Sequence, residues 1–164
     1  MHLDTANATD ERSSQPPRPT FEVGHVGLNV TDLDRSIDFY TDVLALELLN
    51  RSDAADRRFA FLGLGGELRI TLWQQSQDRF ATDRPGLHHL AFQVQSAAEV
   101  EAVDAKLRAR GAKILHGGVV AHSESSASGG LFFEDPDGSR LEVYTADIGA
   151  HPAPSGEAPS CGFF

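Results

Sequence analysis

The chain has 164 residues, enough for one domain or for two small modules sharing a core. With 40% hydrophobic and 23% charged residues it reads as an ordinary globular protein, and no apolar run approaches the length of a membrane span. A net charge of -10 argues against nucleic acid, whose phosphates need clustered Lys and Arg, and the lone Cys161 permits no intrachain disulfide.

Residues 1–20 are polar and Pro-rich and read as a disordered arm that lacks the apolar core of a signal peptide, so a cytoplasmic location is expected. A first module spans 21–75. Its strand FEVGHVGLNV runs into a helix within TDLDRSIDFYTDVLAL, with Thr31 as N-cap, Asp34 in the first turn and an apolar stripe of Ile37, Tyr40, Val43 and Leu44. Strands follow at ELLN, RRFAFLGL and LRITLWQ. A polar linker, 76–86, leads to a second module over 87–146. It opens with LHHLAFQV and continues into a helix that starts at the capping box of Ser96 and Glu99 and stops at Gly111. Strands are predicted at AKILHG, GGLFFE and SRLEVYTA, the last two joined by the turn DPDG. The tail, 147–164, is rich in Pro, Gly and Ser but ends in CGFF, a segment able to fold back into a groove.

Two copies of strand-helix-three-strands in one chain make an internal repeat, and the register supports it. HVGLNV placed over HLAFQV pairs His25 with His89, and RITLW placed over RLEVY pairs Arg69 with Arg140, Thr71 with Glu142 and Trp73 with Tyr144. The second unit has a few more loop residues, around HSESSAS. Successive strand residues point to opposite faces. Val26, Leu28 and Val30, matched by Leu90, Phe92 and Val94, should therefore pack on the helices. Opposite them lie His25, Gly27 and Asn29, matched by His89, Ala91 and Gln93. The last strands likewise turn Arg69, Thr71 and Trp73, or Arg140, Glu142 and Tyr144, away from the core. His88, of the other parity, belongs to the helix side or to the strand entrance.

If the polar faces of both copies line one concave surface, His25, His89 and Glu142 converge there. Two imidazoles and a carboxylate can hold a divalent transition metal (Fe, Mn, Ni or Zn) and leave positions open for water and substrate. Thr71, Trp73, Tyr144, Asn29, Gln93 and Arg69 are then the expected substrate contacts, the aromatics as cavity walls and the arginine as an anion partner. A small-molecule substrate or ligand is expected as the partner, with no nucleic acid and no membrane.

The motifs GHVGLNVTDLDRSIDFYTDVLAL and FFEDPDGSRLEVY resemble the vicinal oxygen chelate superfamily, which includes glyoxalase I, extradiol dioxygenases, fosfomycin-resistance transferases and bleomycin-resistance proteins. The resemblance covers 21 to about 146. It implies an α+β fold in which two βαβββ modules form a half-barrel over a metal held by His25, His89 and Glu142, commonly in a homodimer. Thr71 stands where glyoxalase I carries a fourth ligand, which weakens a literal methylglyoxal–glutathione isomerase. Phe132 or Phe133 stands where extradiol dioxygenases keep a Tyr. His122 lies where such enzymes carry a loop histidine, so it is the candidate catalytic acid/base. A metal-dependent isomerase, lyase or dioxygenase is the leading expectation. The alternative is a drug-sequestering protein that uses the same groove without chemistry.

Overall fold

Both halves of the chain fold as strand, helix and three strands in the order the repeat predicts. The computed structural model describes residues 19–152; the CGFF end and nearly all of the predicted N-terminal arm lie outside them. The first module comprises β1 (Val26–Val30), α1 (Leu33–Val43), β2 (Glu47–Ala54), β3 (Arg57–Leu64) and β4 (Glu67–Gln74). The second comprises β5 (Leu90–Gln93), α2 (Ala97–Ala109), β6 (Val120–Ala121), β7 (Gly129–Glu134) and β8 (Arg140–Thr145). Their sheets have equivalent orders, β1-β4-β3-β2 and β5-β8-β7-β6, with the first and last strands of each module running parallel. This α+β architecture is the expected one.

The helices start where side chains can satisfy their first amides. In α2, Ser96 Oγ accepts from the Glu99 amide, while the Glu99 carboxylate accepts from the Ser96 hydroxyl and the Gln95 amide, which is the predicted capping box. In α1 the N-cap is Asp32, whose carboxylate accepts from the Arg35 amide, not Thr31 as predicted. Thr31 is engaged elsewhere: its hydroxyl and its amide both donate to the Asp137 carboxylate. A partner 106 residues away thus decides which of two adjacent capping residues closes the helix.

Strand alternation supplies the core. Leu28, Val30, Ala60, Leu62, Ile70 and Leu72 are buried beneath α1, and Leu131, Phe133, Leu141 and Val143 are buried with Val100 and Leu107 of α2. Both sets join one apolar cluster, in which Phe39 of α1 approaches Phe133 of β7. AKILHG is not a strand as predicted. It makes a single bridge, Ile114 to Phe133, and then turns at His116, whose φ of 54° lies in the left-handed region that a β-strand cannot use. The outermost strand is instead the two-residue β6, along which residues 147–152 run: the Ala121 amide donates to the Pro152 carbonyl, and Ile148 is buried.

Side chains of the β7–β8 turn lock the modules together. The Tyr40 hydroxyl donates to buried Asp135 at 2.9 Å, and Arg35 reaches Asp137 at 2.5 Å. Burial pushes the Asp135 carboxyl above its ordinary 3.8 and the Tyr40 phenol well above 10.0. The strand that follows this turn, β8, carries Glu142. The interlock therefore fixes the position of the residue that the sequence marks out most strongly for chemistry.

Candidate functional site

Glu142 lies on the face of β8 that points away from α2, in register with Ala91 of β5 and Phe132 of β7. It is only 6% exposed, and a buried carboxylate needs partners. Two imidazoles supply them. His122 Nε2 stands 2.8 Å from Oε1, and His89 Nε2 stands 3.4 Å from Oε2. His122 is held from behind: its Nδ1 lies 2.9 Å from Ser128 Oγ, which in turn contacts Ser126 Oγ at 2.8 Å. Burial holds His89 below its ordinary 6.5 even though the adjacent Glu142 charge pulls it upward. A neutral imidazole, the form that can ligate a metal, is thereby favoured.

His88 sits at the strand entrance and is exposed, not packed under the helix; its Nδ1 is 2.8 Å from His89 Nδ1. Tyr144, one pleat beyond Glu142, brings its ring to 5.8 Å from that of His122, and its hydroxyl donates to the Gln93 side chain at 3.5 Å. His89, Gln93, His122, Glu142 and Tyr144 thus share one face of the second sheet.

The matching face of the first sheet has different chemistry. Thr71, the counterpart of Glu142, is 4% exposed and accepts a hydrogen bond from the Trp73 indole at 3.1 Å. Beside it on β1 is Gly27, where a Cβ would come to 3.2 Å from Thr71 Oγ1. On the other side β3 places Phe61 opposite Thr71 and Phe59 opposite Trp73. The aromatic rings gather tightly, with centroids 4.9 Å apart for Phe59–Phe61 and 5.1 Å for Phe59–Trp73. Asn29 pairs in register with Trp73 and is exposed. Arg69 forms an ion pair with Glu67 at 2.6 Å.

One chain does not bring every predicted residue together. His25 is exposed just before β1. The histidines around Glu142 meet it as hydrogen-bonding partners, and among the described residues no three His, Cys, Asp or Glu side chains could hold a metal ion as they stand. Arg69 and Gln93 line a cleft of about 570 Å³ between the end of α1 and the β5–α2 unit, and neither Glu142 nor Trp73 reaches it.

Sequence reasoning missed Phe59, Phe61 and Ser128. For the phenylalanines a signal existed, since in RRFAFLGL they alternate with the core residues Ala60 and Leu62. For Ser128 there was none, because only the fold of HSESSAS brings it to His122.

Three comparisons relate this chain to known proteins. A family model described as the Glyoxalase/Bleomycin resistance protein/Dioxygenase superfamily matches residues 22–143. A lactoylglutathione lyase of Neisseria meningitidis is 34% identical over 124 residues, covering 72% of this chain and 86% of that enzyme. A catechol-2,3-dioxygenase of Bacillus subtilis is 26% identical over 125 residues, covering 74% of this chain and 40% of that enzyme. The crystal structure of a glyoxylase/bleomycin resistance protein/dioxygenase domain from Frankia superposes with a TM-score of 0.67 at 30% identity, covering 81% of this chain and 97% of that one.

Proposed function

This chain belongs to the glyoxalase/bleomycin resistance protein/dioxygenase superfamily, and from that premise we propose that it is a metal-dependent enzyme acting on a small substrate through chelating oxygens. The reading assigns His25, His89 and Glu142 as ligands of a divalent transition metal. What carries it is Glu142, a buried carboxylate whose two oxygens each face an imidazole.

The donor set fits such an ion. Glu142 supplies a shielded carboxylate, and burial keeps His89 in the neutral form a ligand must have. His25 occupies the repeat position of His89 but is exposed before an edge strand, so a second copy of the chain supplies it in a homodimer. When bound, the ion contributes Lewis acidity and open positions for substrate oxygens.

The chain's own groups do the rest. His122, fixed at Nδ1 by Ser128, presents Nε2 beside the carboxylate and takes or returns a proton there. Tyr144 and Gln93 border the same face and orient the substrate, while Trp73, Thr71 and Asn29 do so from the first module.

Metal analysis of protein purified without added metal tests the reading. Wild type should retain stoichiometric ion, and His89→Ala should lose it while keeping its melting temperature. Sub-stoichiometric metal that is unchanged by His89→Ala overturns the enzyme reading and leaves ligand sequestration.

A further inference from the structure

His88 and His89 make a contact that the proposed chemistry leaves unused. Neighbouring residues of a strand point to opposite faces, but β5 begins only at Leu90, so the backbone at 88–89 is not bound by the pleat. The two rings therefore meet, nearly perpendicular at 79°, with Nδ1 of one 2.8 Å from Nδ1 of the other. His88 is exposed and lies outside the core, so packing does not account for the pair.

Where two ring nitrogens approach this closely, one donates and the other accepts. A neutral imidazole carries a single N–H, so the direction of the bond fixes where the His89 proton sits. Were it on Nε2, His89 would donate to Glu142 Oε2 across 3.4 Å, beyond the roughly 2.7–3.2 Å of a good N–H···O bond. The carboxylate is already served at its other oxygen, where His122 Nε2 stands at 2.8 Å. With the proton on Nδ1, His89 donates instead across the shorter gap to His88 and leaves Nε2 bare beside Glu142. A bare Nε2 is what a metal ligand needs, and ligating histidines keep that form by donating the other ring N–H to a fixed acceptor.

We propose that His88 is a positioning residue whose Nδ1 accepts from His89 Nδ1–H and so holds His89 with a bare Nε2 beside Glu142. The assignment rests on the metal-enzyme reading for the ion, whereas the hydrogen bond stands on the distances alone.

Nitrogen-15 spectra of the imidazoles test it first, in chelator-treated protein and mildly alkaline buffer, where the rings are neutral. In wild type the His89 proton should be on Nδ1, and in His88→Leu it should move to Nε2, which faces Glu142. In His88→Asn it should stay on Nδ1, because the amide oxygen is as many bonds from the backbone as the nitrogen it replaces. The same proteins are then titrated with Zn(II). His88→Leu should weaken Zn(II) about 10–100-fold, and His88→Asn should recover most of that loss. The melting temperature of the metal-free protein should stay the same throughout, because the side chain is exposed.

A His89 proton found on Nε2 in metal-free wild type overturns the proposal. So does a Zn(II) affinity that is equal in wild type and His88→Leu, or equally weak in the two variants. Failure of the metal-enzyme reading looks different. Wild type then binds no Zn(II), or binds it as well after His89→Ala, while the spectra still decide the His88–His89 bond.

Discussion

Where the second module buries Glu142 between two imidazoles, the first buries Thr71 under an indole. The surrounding backbone is equivalent: Gly27 pairs with Thr71 as Ala91 pairs with Glu142, and Phe61 lies opposite Thr71 as Phe132 lies opposite Glu142. The core faces also correspond, with Ile70 and Leu72 matched by Leu141 and Val143, all buried. Alternation along a strand lets one face stay apolar for packing while the other diverges at no cost to the core. The modules have used that freedom differently, one for titratable groups and one for aromatic rings.

The largest test of this contrast exchanges equivalent positions. Glu142→Gln should lower metal affinity by about 100-fold or more, at the upper end of the losses seen when a group that merely supports a ligand is removed. Thr71→Val should leave metal content unchanged. Equal effects in a metal titration of both variants would erase the functional distinction between the faces.

Next in size is the interlock. Tyr40→Phe keeps the ring but removes the donor to buried Asp135, so chemical denaturation should show a loss of about 1–3 kcal/mol. A neutral result would mean that the modules do not rely on this bond for their relative placement.

The helix caps offer a smaller comparison. Ser96→Ala should cost about 1 kcal/mol, and Asp32→Ala less, because α2 has a reciprocal capping box whereas α1 shows a one-way cap. Melting temperatures in the reverse order would contradict this.

The last effect is a slope with pH. Burial raises the folded Asp135 carboxyl above 3.8, so between that raised value and 3.8 the native state holds a proton that the unfolded chain has released. The residue's contribution to stability therefore rises as pH falls through the raised value, and it levels off below 3.8. Asp135→Asn removes that gain. The wild-type-minus-variant difference in unfolding free energy should move in favour of wild type on acidification, and urea titrations across pH in which it stays flat would refute the assignment.

Much of this contrast was legible before any coordinates. The repeat, the strand register and the facing of Thr71, Trp73, Glu142 and Tyr144 follow from period-two alternation. The capping box at Ser96 follows from spacing alone. Other features were not legible because they depend on distant partners. Thr31 looked like a cap until Asp137 claimed its hydroxyl. AKILHG has a strand's composition, but His116 takes a backbone conformation that ends it. His122 read as a loop histidine suited to proton transfer, but its contact with Glu142 came only from the fold of the segment from His122 to Ser128.

By itself, then, the sequence determined two α+β modules, their register and the face on which each polar or aromatic side chain lies, because those properties depend on residues a few positions apart. Only the tertiary structure decided which side chains meet. It joined His122 to Glu142, gathered Phe59 and Phe61 about Trp73, and left His25 exposed just before β1. Those contacts depend on how strands and loops far apart in the chain come to lie side by side, and no local pattern records that.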